Sequence, residues 1–98
     1  MNIEDFIWLE EIEDKIIWKH DLQPHEVEEA FFNRPRFTFV EHGYRRGEDV
    51  YAVQGQTASG RHVIVFFIFK KRTKQALILS ARDMTRQERR HYEKHQPN

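Results

Sequence analysis

The residues best suited to chemistry in this 98-residue chain are cations, and they cluster. Lys70, Lys71, Arg72 and Lys74 put four positive charges into five positions, enough to neutralise phosphates and steer an RNA or DNA strand. The same charges at a hairpin tip also keep a sheet edge soluble and unpaired. Arg82, Arg86, Arg89 and Arg90 form a second group. Arg82 ends a strand-like stretch, where a planar guanidinium can grip a phosphate through two parallel hydrogen bonds. Arg86, Arg89 and Arg90 recur at helical spacing and share one helix face. Together these charges can stabilise a phosphate under attack. A solvated face, or one paired with acidic helices, is the structural alternative.

Proton carriers are fewer. His20 and His62 suit acid–base work because imidazole titrates near neutrality, although each also reads as a hydrogen-bonded histidine beside a core. Glu48, Tyr51 and Tyr92 offer a carboxylate or phenol to take a proton from a ribose 2′-hydroxyl or give one to a leaving oxygen. Tyr92 equally suits packing its ring on a sheet. His91 and His95 have the spacing that lets two imidazoles share one ion. No third ligand is evident, and the helix bearing them is expected to fray at Gln96-Pro97-Asn98, so no metal or other cofactor is expected. A phosphate-binding glycine loop, a Ser-His-Asp order and a paired-carboxylate motif are all absent from the sequence.

These groups must be positioned by a small scaffold. A composition 33% charged and 39% hydrophobic, with eight Phe but only four Gly and three Pro, fits one domain over residues 1–98. The lack of cysteine excludes disulfides, thiolate metal sites and a thiol nucleophile. No run approaches the ~20 apolar residues of a membrane span, and Met1–Asp5 is acidic where a secretory signal is basic. A cytoplasmic location is expected. The zero net charge hides a division: residues 1–33 carry ten acids against two bases, or −8, and residues 34–98 carry fourteen bases against six acids, or +8. Either the second part meets a polyanion or the two parts neutralise each other.

Periodicity supplies the elements. Leu9, Ile12 and Ile16 predict a helix from Ile7 to about Trp18. A second begins at Pro24, with Leu22 and Val27 at hydrophobic-staple positions, and stops before Asn33-Arg34-Pro35. Strands follow at Arg36–Val40, Asp49–Gln54, Val63–Phe69 and Gln75–Ala81. The third, apolar throughout, is expected to be central and buried on both faces. Thr85 and Glu88 have capping-box spacing and open a last helix from Arg86 to about His95. The expected fold is α+β in the order α-α-β-β-β-β-α, with three helices on a four-stranded antiparallel sheet.

Several of these stretches together resemble BrnT-type toxins. Ile78-Leu79-Ser80-Ala81-Arg82, then Met84-Thr85-Arg86-Gln87-Glu88-Arg89-Arg90 and Tyr92, is similar to their closing signature. Lys19-His20, Glu29-Ala30-Phe31-Phe32-Asn33, Gly47-Glu48-Asp49-Val50-Tyr51, Gly55 and Gly60-Arg61 match earlier motifs, so that the likeness covers roughly residues 15–93. The resemblance implies a RelE-like fold and a metal-independent ribonuclease that cleaves mRNA and blocks translation. It also implies a ribbon-helix-helix antitoxin (BrnA-like) covering the basic face, and leaves open a homodimer or a toxin–antitoxin hetero-oligomer. Carried onto this sequence, Arg82, His20, Glu48 and Tyr92 become the catalytic candidates. Arg61, Lys70, Lys71, Arg72, Arg86 and Arg89 become the RNA-binding ones. Ile16, Asp21 and Val50 stand where the family pattern has Asn, Gly and Arg. The alternative is a binding module of the same fold, without catalysis, whose basic sheet face holds RNA or a protein.

Overall fold

A computed structural model describes residues 1–96. Its elements run β1 (Asp5–Ile7), α1 (Glu10–His20), α2 (Pro24–Glu29), β2 (Arg36–Glu41), β3 (Glu48–Gln56), β4 (His62–Lys70), β5 (Gln75–Asp83) and α3 (Arg86–Lys94). The sheet is five-stranded and mixed, in the order β1-β5-β4-β3-β2. This corrects the expected RelE-like arrangement of four antiparallel strands led by two helices: a strand comes first and pairs parallel with β5. Three residues are too few to show a period of two, and the helical spacing that starts at Leu9 masks them. Helix α1 accordingly begins at Glu10 rather than Ile7. Pro97 and Asn98, where fraying was expected, lie outside the described residues.

Each strand divides its side chains between two faces. On one face Val53, Val63, Val65, Phe67, Ala76, Ile78 and Ala81 meet Ile16, Leu22, Val27, Ala30 and Phe31 from the helical segment. The Phe31 ring is edge-on to both Phe6 and Phe67 at 4.9 Å, which seats the N-terminal segment on the sheet. Leu22 and Val27 are fully buried, as a staple across the start of α2 requires. Gly55 lies against the end of that helix, where a Cβ would come 2.1 Å from the Ala30 carbonyl oxygen. Only glycine permits so close an approach of strand and helix.

The other face is open except at one end, which α3 crosses. There β4 departs from expectation: it is central, but Phe66 and Ile68 are half-buried because no helix covers them. Two bulges decide which residues this face receives. Val40 is an extra residue in β2, and Leu79 one in β5, where Phe66 pairs with Ser80 but Phe67 with Ile78. Burial of Ala76, Ile78 and then Ala81 records the skipped position. Without the Leu79 bulge, strict alternation would turn Arg82 toward the helices. With it, Arg82 emerges on the open face.

Candidate functional site

Register places Arg36, Gln54, Ile64 and Arg82 in one row across β2, β3, β4 and β5, all on the open face. Three inter-strand steps separate the two arginines, about 14 Å. Gln54 and Ile64, only 9% and 6% exposed, form the floor between them. Helix α3 walls one side. Its His91 lines two adjoining hollows, one of about 280 Å³ with Arg36, Thr38, Ala52, Gln54 and Ile64, the other of about 400 Å³ with Gln54, Thr85, Gln87 and Glu88.

Local sequence fixes the Arg82 fork. Thr85 caps α3 by accepting from the Glu88 N–H at 3.1 Å, while the Thr85 N–H donates to Glu88 Oε1 at 2.8 Å. The carboxylate so held receives both Arg82 Nη1 and Nη2, at 2.7 and 3.0 Å. Arg82 also lies over Phe66, 5.9 Å from the ring centre. The hydrogen bond to Arg82 holds the Glu88 carboxyl below its usual range, and Glu88 in turn raises the Arg82 guanidinium. Arg82 is therefore a permanent charge and a poor acid. Reduced hydration, then the charges of His95, Arg36 and Lys94, lower the His91 imidazole, leaving it a neutral proton acceptor near pH 7.

The remaining candidates are dispersed. Arg61 donates from Nε and Nη2 to the Asp83 carboxylate at 2.6 and 3.0 Å, and from Nη1 and Nη2 to the Asp21 and His20 carbonyls at 2.7 and 2.8 Å. Four of its five donors are thus committed to the end of α1 and to a residue facing away from Arg82. His20 shares that opposite side. Tyr92 is fully buried, its hydroxyl donating to the Arg34 carbonyl at 2.7 Å and its ring edge-on to His62. Burial raises its phenol, so it holds its proton. His62 is itself hydrogen-bonded to Glu93.

Glu48, Lys70, Lys71 and Arg72 gather at the far end of the sheet, six positions along β4 from Ile64 and about 20 Å away. Arg86 and Arg89 are exposed on α3. Tyr51 packs against the Phe67 and Phe39 rings on the helix face. His91 and His95 have rings 4.1 Å apart, yet no group of three metal-ligating side chains forms among the described residues. Of the departures noted in the sequence, Ile16 is core, Asp21 ends α1, and Val50 lies mid-way along the open face.

Sequence reasoning missed Arg36 and Gln54 and gave His91 only a metal role. Their common signal is register, which the bulges conceal.

The fold is a small α+β domain whose open sheet face carries Arg36 and Arg82 on its two flanks. The chain matches the family model described as the ribonuclease toxin BrnT of type II toxin–antitoxin systems over residues 8–88, and it belongs to that family. Membership makes an antitoxin its partner. A comparison with curated proteins found no match. Among the described residues no helix is long and apolar enough to cross a membrane.

Proposed function

We propose that this toxin cleaves mRNA on the open face of the sheet, halting translation, and that a ribbon-helix-helix antitoxin silences it by covering that face. The observation that carries the reading is the cross-strand row of Arg36, Gln54, Ile64 and Arg82 with His91 beside it. RNA supplies its own nucleophile. His91 removes the ribose 2′-hydroxyl proton, the oxygen attacks the adjacent phosphorus, and the bond to the 5′-oxygen breaks, with that oxygen taking a proton from water. The products are a 2′,3′-cyclic phosphate and a 5′-hydroxyl end. Arg82 and Arg36 stabilise the charge that builds on the phosphoryl oxygens, and Phe66 gives a base a surface to stack on. No step calls on a metal. His20, Glu48 and Tyr92 stand outside the row and take no part in this scheme.

The test is cleavage of single-stranded RNA by purified wild type, Arg82→Ala and His91→Ala in the presence of a chelator. Wild type is expected to yield cyclic-phosphate ends, each variant to lose about a hundredfold or more in rate, and the melting temperatures to stay within a few degrees. Undiminished cutting by Arg82→Ala overturns the assignment. Wild type that binds RNA without cutting it selects the non-catalytic module.

A further inference from the structure

The far end of the open face carries a separate cavity of about 590 Å³, lined by Ile7, Arg46, Gly47, Glu48, Lys70, Lys71, Arg72, Thr73 and Gln75. Two hairpin loops build it. The β2–β3 loop supplies Arg46 and Gly47, and the β4–β5 turn supplies Lys71, Arg72 and Thr73. The Lys71 N–H donates to the Gly47 carbonyl at 2.9 Å and ties the loops together. Gly47 makes the join with φ +80°, a backbone conformation that a side chain would strain. The unexpected strand β1 closes the wall with Ile7, held in parallel register opposite Leu77.

Charge in this cavity is unbalanced. Four cations face one carboxylate, and that carboxylate, Glu48, is 3.4 Å from Lys70. Among the described residues Arg46, Lys71 and Arg72 have no ion-pair partner. Three unpaired cations around a hollow of this size fit an anion with several acceptor oxygens.

We infer that this cavity is a second phosphate-binding subsite for the RNA strand, about 20 Å from the Arg82 row. The inference rests on the proposed ribonuclease reading and extends it to the length of substrate engaged. Two observations favour RNA over an acidic protein segment. Glu48, Lys70 and Gln75 alternate onto the same face as Arg82, so one strand can lie over both places without leaving the sheet. Between them Val50, Phe66, Ile68 and Leu77 form a half-buried apolar floor, suited to the flat faces of bases and lacking the polar groups that a peptide backbone needs.

Fluorescence anisotropy with cleavage-resistant 2′-O-methyl oligoribonucleotides tests this, comparing a trinucleotide with a dodecamer. The proteins are wild type, Arg46→Ala/Arg72→Ala and Arg82→Ala, each with its fold checked by thermal melting. The double variant is expected to bind the dodecamer about tenfold more weakly, with a salt slope shallower by about 1.4 for two lost contacts. It should bind the trinucleotide as wild type does, whereas Arg82→Ala should weaken both. An unchanged dodecamer affinity in the double variant overturns the subsite and leaves the ribonuclease reading standing. Failure of wild type to bind either oligonucleotide overturns both. A hexaglutamate peptide that binds wild type and loses affinity in the double variant, with RNA unaffected, assigns the cavity to an acidic protein segment instead.

Discussion

Glu88 serves two neighbours at once, closing the cap of α3 and presenting the Arg82 fork. Arg82 is thus aimed by a carboxylate that a phosphate would have to displace or share, so the proposed RNA binding would be coupled to the start of α3. Arg82 was legible as a candidate because charge clusters need no register, whereas Arg36 stands outside any cluster singled out in the sequence. Nor was the base we propose, His91, legible, because an exposed histidine on a helix gains such a role only from what the fold sets beside it. If His91 is the base, it works when neutral. Since its pKa is lowered, the acid limb of kcat/KM should fall below the ordinary histidine range, with activity rising through that limb and full at neutral pH. A pH–rate profile measures this, and a limb at or above the ordinary value removes His91 from the mechanism.

At the scale of elements, capping and stapling signals were read correctly because they depend on neighbours three to five residues away. Thr85 with Glu88, and Leu22 with Val27, behave as their spacing requires. Bulges and a three-residue strand were invisible, since each is specified by a partner strand rather than by its own residues. Asp21 shows a further local strain. It ends α1 in the left-handed region at φ 52°, donating its N–H to the Ile17 carbonyl, at the position where the family pattern carries Gly. Glycine enters that region without cost. Asp21→Gly is therefore expected to stabilise the fold by about 1 kcal/mol, read as a raised melting temperature. A lowered one shows that the Asp21 charge beside Arg61 outweighs the backbone strain.

Across the whole molecule the acidic and basic segments meet mainly through apolar packing. One side-chain ion pair within 4 Å joins them among the described residues, Lys74 to Glu4 at 3.7 Å, so close pairing neutralises little of the charge division. Beside the shared apolar core, the Arg61 latch ties them, reaching the last carbonyls of α1 and the Asp83 carboxylate together. Arg61→Ala should cost about 2 kcal/mol, or about 10 °C in Tm, while leaving RNA cleavage intact. Asp83 has a depressed pKa because of Arg61. The latch is accordingly at full strength above the ordinary carboxylate range and weakens as pH falls through the depressed value. The Tm gap between wild type and variant should narrow in acid, and a gap that widens excludes this account. The pairing of β1 with β5 carries a consequence for synthesis. Asp5 accepts a hydrogen bond from Gln75 across 70 positions of chain, and the proposed catalytic row itself spans Arg36 to Arg82. While the protein is being made, its first strand waits without a neighbour, guarded only by the charges of Glu4 and Asp5. The row to which we assign RNA cleavage is incomplete until β5 has emerged, so on that proposal a nascent chain carries no weapon against the ribosome translating it.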